Sequence, residues 1–173
     1  MKPKRNYKDT ALDKCQTPEY GILPLLPYLH FRNFKKIWEC ASGDGILVKA
    51  LQKNGFEVIA TDLLSGEDFF YSNYVSDAIV TNPPFSLKYD WIDYCYELNK
   101  PWALLMPVET LGSGRAQKMF KTYGIEIMLL SRRINFKMPN KGWDSAAQFP
   151  VAWFTWKILP SPIVFGEINY EKN

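Results

Sequence analysis

The sequence predicts an α/β fold, a mostly parallel sheet with helices on both faces. Short apolar runs alternate with helical patterns, the signature of repeated strand–helix–strand units. Four of those runs, KIWE (36–39), EVIAT (57–61), DAIVT (77–81) and WALLM (102–106), read as strands of a covered sheet. The chain has 173 residues, of which 47% are hydrophobic and 23% charged, enough for a single domain with one core and no staple.

The elements follow in order. Thr17-Pro18 offers a helix cap and a first-turn proline, but Pro24 and Pro27 lie in the apolar run behind it, so that helix must be short, broken or kinked. Lys36 to Glu39 is the first strand. Residues Ile46 to Asn54 form a helix on Leu47, Ala50 and Leu51, ended by Gly55. Glu57 to Thr61 is the second strand, and Asp77 to Thr81 another. The segment between them is short, so any third strand there is reduced. Ser86 can cap a helix to Leu98 whose Leu87, Trp91, Tyr94, Cys95 and Leu98 share a face. Trp102 to Met106 is a strand, and Ser113 to Tyr123 a helix closed by Gly124. Ile125 to Leu130 and Val151 to Trp156 are strands with no helix between them, a final antiparallel pair. Residues 131–150 read as loop.

Composition excludes several classes. Three cysteines without a CxxC and one histidine, His30, exclude a zinc ribbon, a thioredoxin-type site and a histidine-rich metal site. No metal is expected, and His30 reads as a packed residue. No segment approaches the ~20 apolar residues of a membrane helix. The start, MKPKRNYKDT, is basic with no apolar run behind it, so a signal peptide is not expected. A cytoplasmic domain spanning 1–173 is expected, with 1–12 a flexible basic tail. The net charge of +3 conceals an asymmetry. Residues 57–97 carry eight acids and one base, and residues 115–141 carry seven bases and one acid. Such runs read either as solvated faces or as a basic surface for a polyanion.

Two loops carry chemistry. After the first strand comes Glu39-Cys40-Ala41-Ser42-Gly43-Asp44-Gly45, opening a helix. Glycines allow close backbone approach, and the helix start offers free N–H groups, which suits a nucleoside-bearing ligand. Asp62, at the end of the second strand, stands where a ribose-binding acid belongs. Val48 replaces the third glycine of a dinucleotide motif, so a ribose ligand without pyrophosphate fits better. The second loop is Thr81-Asn82-Pro83-Pro84-Phe85. Its prolines remove two donors and stiffen the turn, leaving the Asn82 carboxamide and the Pro83 carbonyl as fixed acceptors beside an aromatic ring.

Asn82-Pro83-Pro84-Phe85 resembles the catalytic motif of S-adenosylmethionine-dependent amino methyltransferases, above all the N6-adenine DNA methyltransferases. Glu39 to Gly45 is similar to that family's cofactor loop, Asp62 to its ribose-binding acid, and Asp68-Phe69 to its adenine-binding pair. Thr17-Pro18 resembles the segment that precedes the cofactor loop in the gamma arrangement. The resemblance runs from about Asp13 to Trp156. It implies a Rossmann-like class I methyltransferase fold with a seven-stranded sheet and a C-terminal antiparallel hairpin. It implies S-adenosylmethionine as cofactor, held by Thr17, Glu39, Ala41, Gly43, Gly45, Asp62, Asp68, Phe69 and Asn82. It implies methyl transfer to adenine N6, with Asn82 and Pro83 orienting the amine on the rigid Pro84 turn and Phe85 stacking the base. Related motifs act on RNA adenine and on a protein glutamine, and a catalytically silent nucleic-acid-binding relative is a further alternative.

A separate target-recognition domain is not expected in these 173 residues. The target-reading candidate is 132–150, where Arg132, Arg133 and Lys137 could meet phosphates and Phe136 and Trp143 could stack. The other reading is a hairpin loop anchored by its aromatics. DNA is the expected partner ahead of RNA. A short or relaxed target preference, or a partner subunit, is expected, as in a solitary enzyme or one paired with a restriction enzyme.

Overall fold

The computed structural model describes residues 11–138, 142–146 and 149–169. A seven-stranded sheet forms its centre, in the order β2-β1-β3-β4-β8-β5-β9. The strands are β1 Lys36–Glu39, β2 Glu57–Ala60, β3 Ala78–Thr81, β4 Trp102–Pro107, β5 Glu126–Leu130, β8 Val151–Trp156 and β9 Ile163–Gly166. Strands β2, β1, β3 and β4 are mutually parallel, and β8 runs antiparallel between β4 and β5. This is the predicted fold.

Period-two alternation explains the sheet's two covers. On one face Ile37, Ala78, Val80, Ala103, Leu105 and Trp153 pack under α1 (Leu26–Phe31) and α2 (Ile46–Lys53). On the other, Trp38, Ile79, Trp102, Leu104, Met106 and Phe154 pack under α3 (Lys88–Glu97) and α4 (Gly114–Tyr123). The second layer is the more aromatic of the two: Phe69 stacks on Trp91 at 4.0 Å, and Tyr96 meets Trp102 edge-on at 5.2 Å.

Several expectations need correction. No strand forms at 62–77 among the described residues; Leu63–Ser65 and Phe69–Tyr71 are 3-10 turns, each started by an Asp side chain that accepts a backbone N–H. The seventh strand is β9 instead, added parallel to β5 at the opposite edge. The stretch read as loop contains a separate two-stranded hairpin, β6 (Asn135–Met138) with β7 (Gly142–Ala146). It separates β5 from β8, so these are sheet neighbours without being a tight hairpin. Thr17 caps no helix: Pro18 precedes the 3-10 turn Glu19–Gly21 without a side-chain cap. The helix after it, α1, has only six residues, as the prolines require. Ser86 caps nothing either. Its backbone N–H goes to Asp13 Oδ1 at 3.0 Å, inside a 3-10 turn that delays α3 to Lys88. His30 is exposed, its ring lying on Phe56 at 4.5 Å.

Candidate active site

β1 pairs directly with β3. The glycine loop and the Asn-Pro-Pro-Phe loop therefore leave the carboxyl ends of adjacent strands, where the order reverses. That crevice is the usual ligand position in open α/β sheets.

The buried Glu39 ends β1, and one oxygen serves both loops. Its Oε1 accepts the Ala41 N–H at 3.0 Å and the Thr81 hydroxyl. Burial pushes the Glu39 carboxyl up from 4.5 to about 7, against the lowering effect of those two hydrogen bonds. Glu39 therefore ties the end of β3 to the start of the glycine loop.

The loop itself is held from two sides. Gly43 has φ +47° and Gly45 φ +75°, a region L side chains rarely enter. The Gly43 N–H reaches Asp62 Oδ2 at 2.9 Å, while Asp62 Oδ1 accepts from Leu64 at 2.8 Å. From the N-terminal side, Gln16 Oε1 accepts the Asp44 N–H at 3.1 Å. The Gln16 amide lies against Gly43 so closely that a Cβ there would be 2.2 Å from Nε2.

The second loop carries the chief polar anomaly. Asn82 Nδ2 donates to the Cys15 carbonyl at 3.0 Å, which fixes the amide and leaves Oδ1 as the acceptor on the other side. That Oδ1 is buried with no hydrogen-bond partner. So is the hydroxyl of Thr17, two residues beyond Cys15. Unpaired buried acceptors cost about 1–3 kcal/mol each unless water or a ligand pairs them. Pro83 is buried, Pro84 half-buried. Phe85 meets Phe136 edge-on at 6.3 Å and Phe149 at 5.9 Å. Phe85 and Phe136, the rings expected to stack a base, are 7% and 2% exposed and pack on each other and on Phe149, the third aromatic that the sequence groups with Phe136 and Trp143 in the basic stretch.

The remaining predicted residues divide. Asp68 Oδ1 accepts the Phe70 N–H at 3.0 Å at the turn after Asp62's own. Phe69 is only 2% exposed, its ring taken up by Trp91, Tyr94 and Trp38. Arg132 and Arg133 are exposed. Lys137 is on the hairpin as expected, but its ammonium reaches Asp44 Oδ2 at 3.1 Å, across to the glycine loop. Trp143 lies on β7 with its side chain outside the described residues, as do residues 1–10 of the expected tail. Gln16 was missed, because a single glutamine before Thr-Pro carries no pattern of its own.

These residues fit S-adenosylmethionine. Gly45 leaves the loop backbone open, Asp62 and Asp68 stand as the acids at successive turns, and the buried Asn82 Oδ1 accepts from no group of the chain. Among the described residues no cluster suits a metal ion, and no helix is long and apolar enough to cross a membrane.

No family model matches the chain, and no curated protein sequence matches it. Solved structures do. A candidate class I S-adenosylmethionine-dependent methyltransferase from Listeria monocytogenes superposes with TM-score 0.55 at 14% identity, over 94% of this chain and 68% of that one. A precorrin-6Y C5,15-methyltransferase from Geobacter metallireducens gives TM-score 0.45 at 13% identity, over 77% and 85%. At these identities the likeness is one of fold: the chain has the Rossmann-like methyltransferase architecture.

Proposed function

We propose that the chain transfers a methyl group from S-adenosylmethionine to the N6 amine of adenine, in DNA. The observation that carries this reading is Asn82: its Nδ2 is spent on Cys15, and its Oδ1 is buried and unpaired. An acceptor prepared in this way suits an N–H donor from outside the chain.

The exocyclic amine of adenine is a weak nucleophile because its lone pair is delocalised into the ring. Asn82 Oδ1 and the Pro83 carbonyl each accept one N–H of that amine, holding the nitrogen pyramidal with its lone pair directed away from the ring. The bound cofactor supplies an electrophilic methyl group on a sulfonium sulfur. On methylation, with the electron pair of the S–C bond left on the donor's sulfur, the nitrogen would release one proton to solvent. The protein contributes position and electrostatics and forms no covalent bond. Glu39 and Asp62 hold the glycine loop, and Phe85, buried against Phe136 and Phe149, stiffens the loop that carries Asn82. A base reaches such a site only by leaving its stack.

The test is transfer from labelled cofactor to duplex DNA, single-stranded DNA, RNA and protein in parallel. Label on adenine N6 in DNA is expected. Label in RNA or protein alone, or on cytosine N4, would overturn the substrate. Failure to bind S-adenosylmethionine in calorimetry would overturn the enzyme.

A further inference from the structure

The glycine loop is connected to the β6–β7 hairpin through one residue, Gln16. Its backbone pairs with Lys137 in both directions, N to O at 3.0 Å each way. Its side chain turns the other way and accepts the Asp44 N–H at 3.1 Å. The same amide fills the space over Gly43 that a Cβ would need, so Gly43 is bare on that side because Gln16 is there. Lys137 completes the link by reaching Asp44 Oδ2 at 3.1 Å. Gln16 also sits directly between Cys15, whose carbonyl fixes Asn82, and Thr17, whose hydroxyl is buried and unpaired.

We infer that Gln16 is a positioning residue for the methyl-donor site. It sets the shape of the Gly43–Asp44 turn and anchors that turn to the hairpin, so that loss of its amide weakens donor binding without altering the chemical step. The inference rests on the reading of this loop as the donor site. Lys137 contributes less, because its ion pair is largely exposed and such pairs are weak.

The test compares Gln16→Met, which keeps the length and loses the amide, with Gln16→Ala and Lys137→Ala. Affinity for S-adenosylmethionine is measured by calorimetry, and exchange of the Asp44 amide by hydrogen–deuterium exchange on the free protein. One ordinary hydrogen bond corresponds to roughly a fivefold change in an equilibrium constant. Gln16→Met should weaken donor affinity and speed Asp44 exchange by about that factor. It should lower the melting temperature by only about 2–4 °C and leave kcat at saturating donor near that of the unaltered chain. Lys137→Ala should change either quantity by roughly twofold or less. Unchanged affinity and exchange in both Gln16 variants would overturn the inference, as would a fall in kcat that saturating donor does not restore. Absence of any binding by the unaltered chain would overturn the donor assignment instead, and Asp44 exchange would still decide whether Gln16 holds the turn.

Discussion

The amide of Asn82 hydrogen-bonds through Nδ2 to the main-chain carbonyl of Cys15 at 3.0 Å, 67 residues away in sequence. This bond determines which end of the carboxamide faces the crevice. Asn82→Ala should remove the free acceptor and lower methyl transfer by about 10²–10³-fold, the range for one pre-organised polar group. Asn82→Asp should also suffer, because it sets a carboxylate oxygen against the Cys15 carbonyl. Single-turnover transfer with labelled donor checks both, and an Ala variant with undiminished turnover would sink the assignment.

Glu39 makes stability pH-dependent. Its carboxyl is raised to about 7 in the fold, against 4.5 ordinarily, mainly by burial. Between those values the folded chain holds a proton that the unfolded chain releases, so this group's contribution to stability declines as pH rises from 4.5 to about 7 and is level above. Glu39→Gln keeps an Oε1 to accept from Ala41 and Thr81 but cannot ionise. The difference in melting temperature, Gln variant minus parent, should therefore grow from pH 5 to pH 8. A constant difference across that range would contradict the buried, raised carboxyl.

Gly43 and Gly45 should respond differently to alanine. Both have positive φ, for which an L side chain costs about 1–2 kcal/mol. Around Gly45 a Cβ meets nothing within 4 Å, whereas at Gly43 it meets the Gln16 amide. Thermal denaturation should show Gly43→Ala as the more damaging change, and Gln16→Ala should relieve part of it. Equal losses at the two glycines would mean that Gln16 does not lie on the turn.

Glu126 offers a contrast, a carboxylate spent on structure. Its oxygens accept the backbone N–H groups of Lys157, Ile158 and Leu159 and the Thr155 hydroxyl, closing the turn after β8 where Lys157 has φ +59°. Glu126→Ala should cost roughly 2–3 kcal/mol by stranding those donors. Donor affinity, measured below the melting range, should be unchanged. A selective loss of donor binding would show that the turn communicates with the crevice.

Much of this was legible in the chain, for identifiable reasons. Strands announce themselves as apolar runs, most clearly where both faces are buried as in β3, β4 and β8, so these and β1, β2 and β5 were found within a residue or two of their ends. The glycine loop and Asn-Pro-Pro-Phe were legible because their chemistry demands unusual residues close together. What escaped depends on contacts between distant segments. Ile163–Gly166 is a short run between prolines and a glutamate, and becomes a strand only because β5 offers an edge. Asn135–Met138 does alternate polar and apolar residues, but for four positions only, and it becomes a strand by pairing with β7 and bridging to Gln16. Phe69 reads as a ligand-facing ring in sequence but is taken up by Trp91, which only the fold brings near.

The last expectation concerns the basic second half. Net charge cannot say which cations are available to a polyanion, but pairing can. Arg133 is exposed, whereas the Lys137 ammonium already lies 3.1 Å from Asp44. A cation that must give up a carboxylate to meet a phosphate gains less from the exchange, and releases fewer condensed counterions for the same contact. Binding of a short DNA duplex should therefore weaken with salt, and Arg133→Ala should reduce the slope of log affinity against log salt by about 0.9, the share of one phosphate contact. Lys137→Ala should reduce it by less. Fluorescence anisotropy across a salt series measures both. A larger change for Lys137 than for Arg133 would mean that the hairpin lysine leaves Asp44 when the strand arrives, and would place the phosphate path over the glycine loop.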